Sequence, residues 1–425
     1  MRSASGKADR ADCLSLRAAA LIIMITPLLM IAAREIPATL LVIVTLVLGA
    51  ALWRTGHVRA VGRDLINTLT QPAGWAFIAL VVLMLASVVW SPVPARGAEH
   101  VLHFAGGPIL AATAIALLMR LRAGCSERIF APSTFALVLT LAASIIAIDL
   151  WLSGALRDAL ALSTSRSRLN RAAVAMTLLL PLATVLLSNE RQITLLVLLW
   201  VTTTLAVFLS ASHSARLGFA VILLCLPLAH IAPSALHRLG IIALPLTVLA
   251  MPWIASLANA LIPGRVHEAV GYGSLTIRGE IWQETIPFIW QKPFFGWGVE
   301  ASHALAHLPK AAHLTQVQRD LLNWGHTHNA PLQIWLELGA VGATLAAATL
   351  YFAVRSLRVL PASLLPYATI TIIAAFAVAC VSHGAWQAWW WALLGLIAVA
   401  YAMAIAAHFP DALRHADEPG AEPSK

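Results

Sequence analysis

His326 and His328 stand one residue apart in the stretch GHTHNAPLQIWLELGAVGATL, residues 325–345, where a polar loop gives way to a long apolar run. A histidine changes charge near neutral pH, and it is the side chain most often used to take a proton from a hydroxyl. Thr327 or Asn329 can cap a helix that starts here, and Pro331 is tolerated in its first turn. His328 would then sit at a helix N-terminus, where the positive end of the dipole disfavours the imidazolium and free N–H groups suit an anion. Asn329, Gln333 and Glu337 recur every four residues and so share one helix face. Gly339 and Gly342, with Ala340 and Ala343, predict close helix packing just beyond that carboxylate. The plainer reading makes the two histidines the polar end of a loop and Glu337 a structural acceptor. Spacing alone does not choose between His326 and His328.

Two arginines extend the same chemistry. Arg216, in LSASHSARLGF, and Arg278, in GSLTIRGEIW, each place a guanidinium among serines or apolar residues. A planar fork matches phosphate oxygens bidentately, so either residue could clamp a phosphate; the plainer role is an interfacial anchor. Arg265, His326 and Asn329 are further candidates for substrate contact. Other signals are weaker. His303 and His307 are four apart, as helical metal ligands could be, but no HExxH accompanies them. No DxD or DD pair in the outer loops offers to hold a divalent cation on a diphosphate, so no metal or cofactor is expected. Trp386, Trp389, Trp390 and Trp391 predict an aromatic belt at a membrane interface.

The elements that must position these residues are membrane helices. Of 425 residues, 60% are hydrophobic and 11% charged, and the mean hydropathy is +0.82. Soluble domains carry about a quarter charged residues, so this composition indicates an integral membrane protein. The net charge of +9 comes with no basic stretch interleaved with aromatics, which argues against nucleic acid as a partner. A span needs about 20 apolar residues. Twelve stretches qualify: 14–33, 36–53, 72–90, 99–119, 129–151, 172–187, 192–209, 216–232, 239–262, 330–353, 362–382 and 386–407. Leu-, Ala- and Val-rich runs without ten-residue alternation exclude a membrane barrel. The basic N-terminus leads into the first run without a cleavage site and reads as a retained span. With the N-terminus cytoplasmic, 16 basic residues fall inside and 7 in the short outer loops, as the positive-inside rule expects. Residues 263–329 form one long outer loop, within which LTIRGEIWQETIPFIWQKP predicts an interfacial helix. The whole of 1–425 is a single polytopic domain, ending in a polar cytoplasmic tail over 409–425. The four cysteines show no CxxC pair and no legible disulfide framework.

The residues also resemble a known family. His328 and Asn329, followed at a distance by Gly339 and Gly342, are similar to the motif of the bacterial O-antigen ligase and O-antigen polymerase superfamily. The segment RGEIWQETIPFIWQKPFFGWG resembles that family's Arg-x-x-x-Trp stretch and the Pro-x-x-Gly-x-Gly turn after it. The resemblance implies an all-α integral membrane protein of about twelve transmembrane helices with one large periplasmic helical loop, a GT-C-like glycosyltransferase. It implies an inner-membrane location with the site facing the periplasm. The implied reaction is inverting and metal-independent, from a glycan on undecaprenyl diphosphate to a sugar hydroxyl of lipid A-core, completing lipopolysaccharide. It assigns the catalytic role to His328 and the donor diphosphate to Arg278 and Arg216, although the family's Ser-Arg dipeptide reads Ser-Ala-Arg here. An O-antigen polymerase or a protein O-oligosaccharyltransferase would use the same chemistry. A secondary transporter or flippase is the rival of another class; Asp149 and Glu337 would be its intramembrane acids.

Overall fold

The computed structural model describes residues 2–55, 58–122, 125, 129–261, 275–308, 311–312 and 314–409. Arg265 and the tail beyond Phe409 lie outside these. No strand occurs among the described residues, and the chain is an all-α integral membrane protein. Each of the twelve apolar stretches falls on one helix. Nine of the described helices are long and apolar enough to cross a membrane; Pro37–Trp53, Ile193–Leu209 and Leu365–Ala379 are shorter apolar helices.

The helices that matter for the site are α8 (Asn170–Asn189), α10 (His213–Ile231), α12 (Leu275–Gln291), α14 (Ala330–Ser356), α15 (Leu365–Ala379) and α16 (Ala388–His408). Helix α8 is the centre of the bundle. Every residue from Ala172 to Leu187 is buried, as expected for a helix apolar on all sides. It packs against α10, α15 and α16, and also against α1 (Arg2–Ala32), α6 (Pro132–Trp151) and α9 (Ile193–Leu209). LTIRGEIWQETIPFIWQ forms α12, so the helix expected in the long loop is present.

The glycines of α14 behave differently from the expectation of close packing along a continuous helix. Gly339 has φ 65° and ψ −162°, which breaks the helix. A break in a membrane helix frees backbone groups that lipid cannot satisfy. Here the turn PFFGWG satisfies them. Ala340 N–H donates to Pro293 O at 2.7 Å and Val341 N–H to Phe294 O at 3.1 Å. In return Trp297 N–H donates to Leu336 O at 3.0 Å and Gly298 N–H to Glu337 O at 2.8 Å. A Cβ on Gly339 would lie 2.3 Å from the Phe294 carbonyl carbon, and one on Gly296 2.3 Å from that of Glu337.

Glu337, fully buried, joins three segments. It accepts from the N–H groups of Glu300 (2.7 Å) and Ser302 (3.3 Å), the Ser302 hydroxyl (2.7 Å), the Gln333 amide (2.9 Å) and the Trp386 indole (2.6 Å). Gln333 Oε1 in turn accepts from Ala385 N–H at 2.9 Å. The long loop, α14 and the segment before α16 are thereby fixed to one another. The other acid placed within a span, Asp149, is paired with Arg157 at 2.6 Å, and Arg157 also donates to the carbonyls of Ser163, Thr164 and Ser165. Both intramembrane acids are held by structural partners, as a carboxylate inside a bilayer requires.

Two further expectations are corrected. Trp386, Trp389 and Trp390 are 1%, 4% and 3% exposed, so they are core residues rather than an interfacial belt. His303 and His307 lie in successive 3₁₀ turns, and His303 Nε2 meets the Arg96 guanidinium at 2.9 Å. Cys13 and Cys125, 112 residues apart, form a disulfide with Cα atoms 5.4 Å apart.

Candidate active site

A cavity of about 260 Å³ lies where α8, α10, α14 and α16 begin. Its wall comes from the N-terminal turn of α8 (Asn170, Arg171), from Ser212–Ser214 at the start of α10, from Arg278 on α12, from His326 and His328, and from 382–389. Four helix N-termini therefore meet at one polar space, and none of its described lining residues is acidic. Helix N-termini and guanidinium groups both favour negative charge.

The geometry around His328 explains its local sequence. Asn329 is the N-cap of α14: its Oδ1 accepts from Leu332 N–H at 3.0 Å, and its Nδ2 meets Met251 Sδ at 3.2 Å. It is buried and does not line the cavity, which removes it from the candidate substrate contacts. Trp282 Nε1 donates to Thr327 O at 2.8 Å, and the Thr327 hydroxyl donates to Asn329 O at 2.7 Å. These bonds hold His328 at φ 52°, a left-handed conformation rare outside glycine. His326 Nδ1 accepts from His328 N–H at 3.2 Å, and the two rings lie 4.0 Å apart.

His328 Nδ1 lies 3.1 Å from Ser382 O. A carbonyl only accepts, so Nδ1 carries the proton and Nε2 is left as the basic nitrogen. Among the described residues Nε2 has no hydrogen-bond partner. Burial pulls the His328 pKa below its ordinary 6.5, helped by Arg278, while the Ser382 carbonyl pulls it up. His326 is driven further, to about 3, by burial and then by His328, His303 and the arginines. Both shifts favour the neutral ring, and of the two only His328 has a bare nitrogen left free of a partner among the described residues, since His326 Nδ1 is taken by His328 N–H.

Arg278 lines the cavity from α12. Burial lowers its pKa, and an arginine remains cationic at neutral pH. Arg216 is placed differently from the expectation. It does not line the cavity; its guanidinium donates to Phe208 O at 2.9 Å and Ser210 O at 2.6 Å, tying the end of α9 to the start of α10. The second cavity arginine is Arg171, which the sequence offered only as one of several outer-loop basic residues. Its guanidinium lies 4.3 Å over the Trp389 ring and pairs with Glu35 at 2.5 Å. His383, also unmarked by any motif, completes the wall.

The family model described as O-antigen ligase matches residues 176–347. That segment, less than half of the 425 residues, is similar to the O-antigen ligase family. The matched segment contains Arg216, Arg278, His328 and the Gly339 break; Arg171 and His383 lie on either side of it. No curated protein matches the chain.

Proposed function

We propose that this protein is an O-antigen ligase, moving a glycan from undecaprenyl diphosphate to a sugar hydroxyl of lipid A-core at the periplasmic face of the inner membrane. The observation that carries the reading is a histidine with its Nδ1 proton fixed on Ser382 and its Nε2 uncommitted, in the same cavity as Arg278 and Arg171. A sugar hydroxyl is a weak nucleophile and gains from a positioned base. His328 Nε2 takes the hydroxyl proton as the oxygen forms its bond to the anomeric carbon. The bond from that carbon to the diphosphate oxygen breaks with its electron pair, and direct displacement inverts the anomeric centre. The leaving diphosphate gains negative charge, which Arg278, Arg171 and the four helix N-termini stabilise from fixed positions. Arg216, tied to the carbonyls of Phe208 and Ser210, supports this geometry by holding the Ser212–Ser214 wall in place. The arginines supply the cationic charge, so the transfer proceeds without a divalent ion.

The test is reconstitution of purified protein with an undecaprenyl diphosphate-linked glycan and two acceptors, lipid A-core and a second lipid-linked glycan. Joined product is expected on lipid A-core, unchanged by EDTA. His328→Ala should reduce the rate by at least a hundredfold, within the usual share of general-base catalysis, while the protein still inserts. Product only on the second glycan makes the protein a polymerase, and no product on either rejects the enzyme reading.

A further inference from the structure

We propose that His383 and Asn170 form a sugar-binding subsite in this cavity, contacting a ring hydroxyl or acetamido group of a glycan; naming the glycan rests on the reading above. His383 is 4% exposed and lines the cavity, and among the described residues neither Nδ1 nor Nε2 has a hydrogen-bond partner. Buried polar atoms are almost always paired, and a side chain with two unpaired nitrogens on a cavity wall points to what enters the cavity. Aromatic packing does not explain it. The ring lies 5.1 Å from Trp389 and 4.2 Å from Trp390, a contact that phenylalanine would make without burying two nitrogens. Asn170 Oδ1, on the same wall, is likewise buried without a partner among the described residues.

The kinds of atoms left unpaired select the ligand. Burial and then the neighbouring His326, Arg171 and His328 hold the His383 pKa well below its ordinary value, so the ring is neutral. A neutral imidazole offers one N–H donor and one bare acceptor. Asn170 Oδ1 is an acceptor only. A phosphate oxygen brings no proton at neutral pH and can meet only the imidazole N–H, which leaves both acceptors unpaired. A hydroxyl both donates and accepts, and an acetamido N–H donates, so these groups satisfy the pair. The wall thus divides by chemistry: Arg171 and Arg278 present charge to an anion, and His383 and Asn170 present one donor and two acceptors to the sugar beside it. Arg171 over Trp389 gives that sugar a flat, partly apolar floor next to His383.

The experiment uses the full chain in detergent with His383→Phe, His383→Gln and Asn170→Ala, each checked by thermal unfolding. In the transfer assay His383→Phe should raise the KM of one substrate about tenfold, the scale of one hydrogen bond to an uncharged group. His383→Gln, which keeps a donor and an acceptor, should recover most of it, and Asn170→Ala should raise the same KM. A rise for the lipid-linked donor assigns the subsite to the donor sugar, and a rise for lipid A-core assigns it to the acceptor. Both KM values at wild-type level in His383→Phe would overturn the proposal. So would a wild-type Asn170→Ala if His383→Phe does not fold. Binding of undecaprenyl diphosphate with and without one attached N-acetylglucosamine separates this idea from the enzyme reading. Wild-type protein that gains affinity from the sugar, lost in Asn170→Ala, keeps the subsite even if no transfer occurs. If wild-type protein shows neither transfer nor a sugar-dependent gain, the subsite is rejected together with the reading.

Discussion

His328 combines a strained backbone with a fixed tautomer. A non-glycine residue at φ 52° costs about 1–3 kcal/mol, and the Thr327, Asn329 and Trp282 hydrogen bonds hold it there. The pH dependence follows from the sign of its shift. Burial lowers the His328 pKa from 6.5, so Nε2 stays proton-free as pH falls through 6.5 and is protonated only at a lower value. In the proposed mechanism the active form is the unprotonated one. The acid limb of kcat/KM should therefore lie below pH 6.5, and a limb at or above 6.5 would assign the base to another group. His328 and Arg278 were legible as candidates: residue types marked both histidines and the arginine, and the resemblance to the ligase motif, not the spacing, chose His328 over His326. Arg171 and His383 were not. Each reaches the cavity through packing of α8 and α16 against segments distant in the chain, and a single outer-loop arginine or histidine looks like an anchor until the helices are assembled. Asn329 misled for a different reason: an asparagine beside a candidate base reads equally as a contact or a cap, and the Leu332 hydrogen bond decides for the cap.

At the scale of elements, helix positions were readable because lipid admits few alternatives, and runs of about 20 apolar residues leave little choice. The break at Gly339 was not readable. Gly339 and Gly342 carry the same spacing in a tightly packed helix and in a broken one, and only the partners in 293–298 distinguish them. The tryptophans at 386–391 show the same limit: one composition serves an interfacial belt or buried packing, in which Trp386 bonds the Glu337 carboxylate and Trp389 and Trp390 pack against His383. Gly339→Ala should be far more damaging than an ordinary helix substitution. It adds a Cβ 2.3 Å from a backbone carbon and puts alanine at φ 65°, where strain alone is about 1–3 kcal/mol. Expected outcomes are lower yield, a lower unfolding temperature followed by tryptophan fluorescence in detergent, and lost transfer. A variant as stable as the wild type would mean that the turn and helix can separate without harm.

For the whole molecule, two observations make opposite claims about one end of the bundle. The arginine and lysine count puts the start of α1 and the segment after α5 (Pro94–Arg122) in the cytoplasm. The Cys13–Cys125 disulfide lies at that end, and the cytoplasm keeps thiols reduced. Orientation is decided by labelling spheroplasts with a membrane-impermeant maleimide, using cysteines placed at the exposed Val317 in the long loop and at the exposed Arg59. The positive-inside argument expects Val317→Cys to react in intact spheroplasts and Arg59→Cys only after permeabilisation. The reverse pattern would turn the molecule over and put the cavity in the cytoplasm.

The broken helix α14 has two axes where an intact helix has one. The outer rod, Ala330 to Leu338, carries the cap that aims His328; the inner rod, from Ala340 onward, crosses the apolar layer. Four backbone hydrogen bonds to 293–298 make the joint between them a rigid elbow rather than a hinge. A tilt imposed on the inner rod by bilayer thickness is therefore passed through the elbow to the outer rod, and the 293–298 turn and His328 move with it as one body.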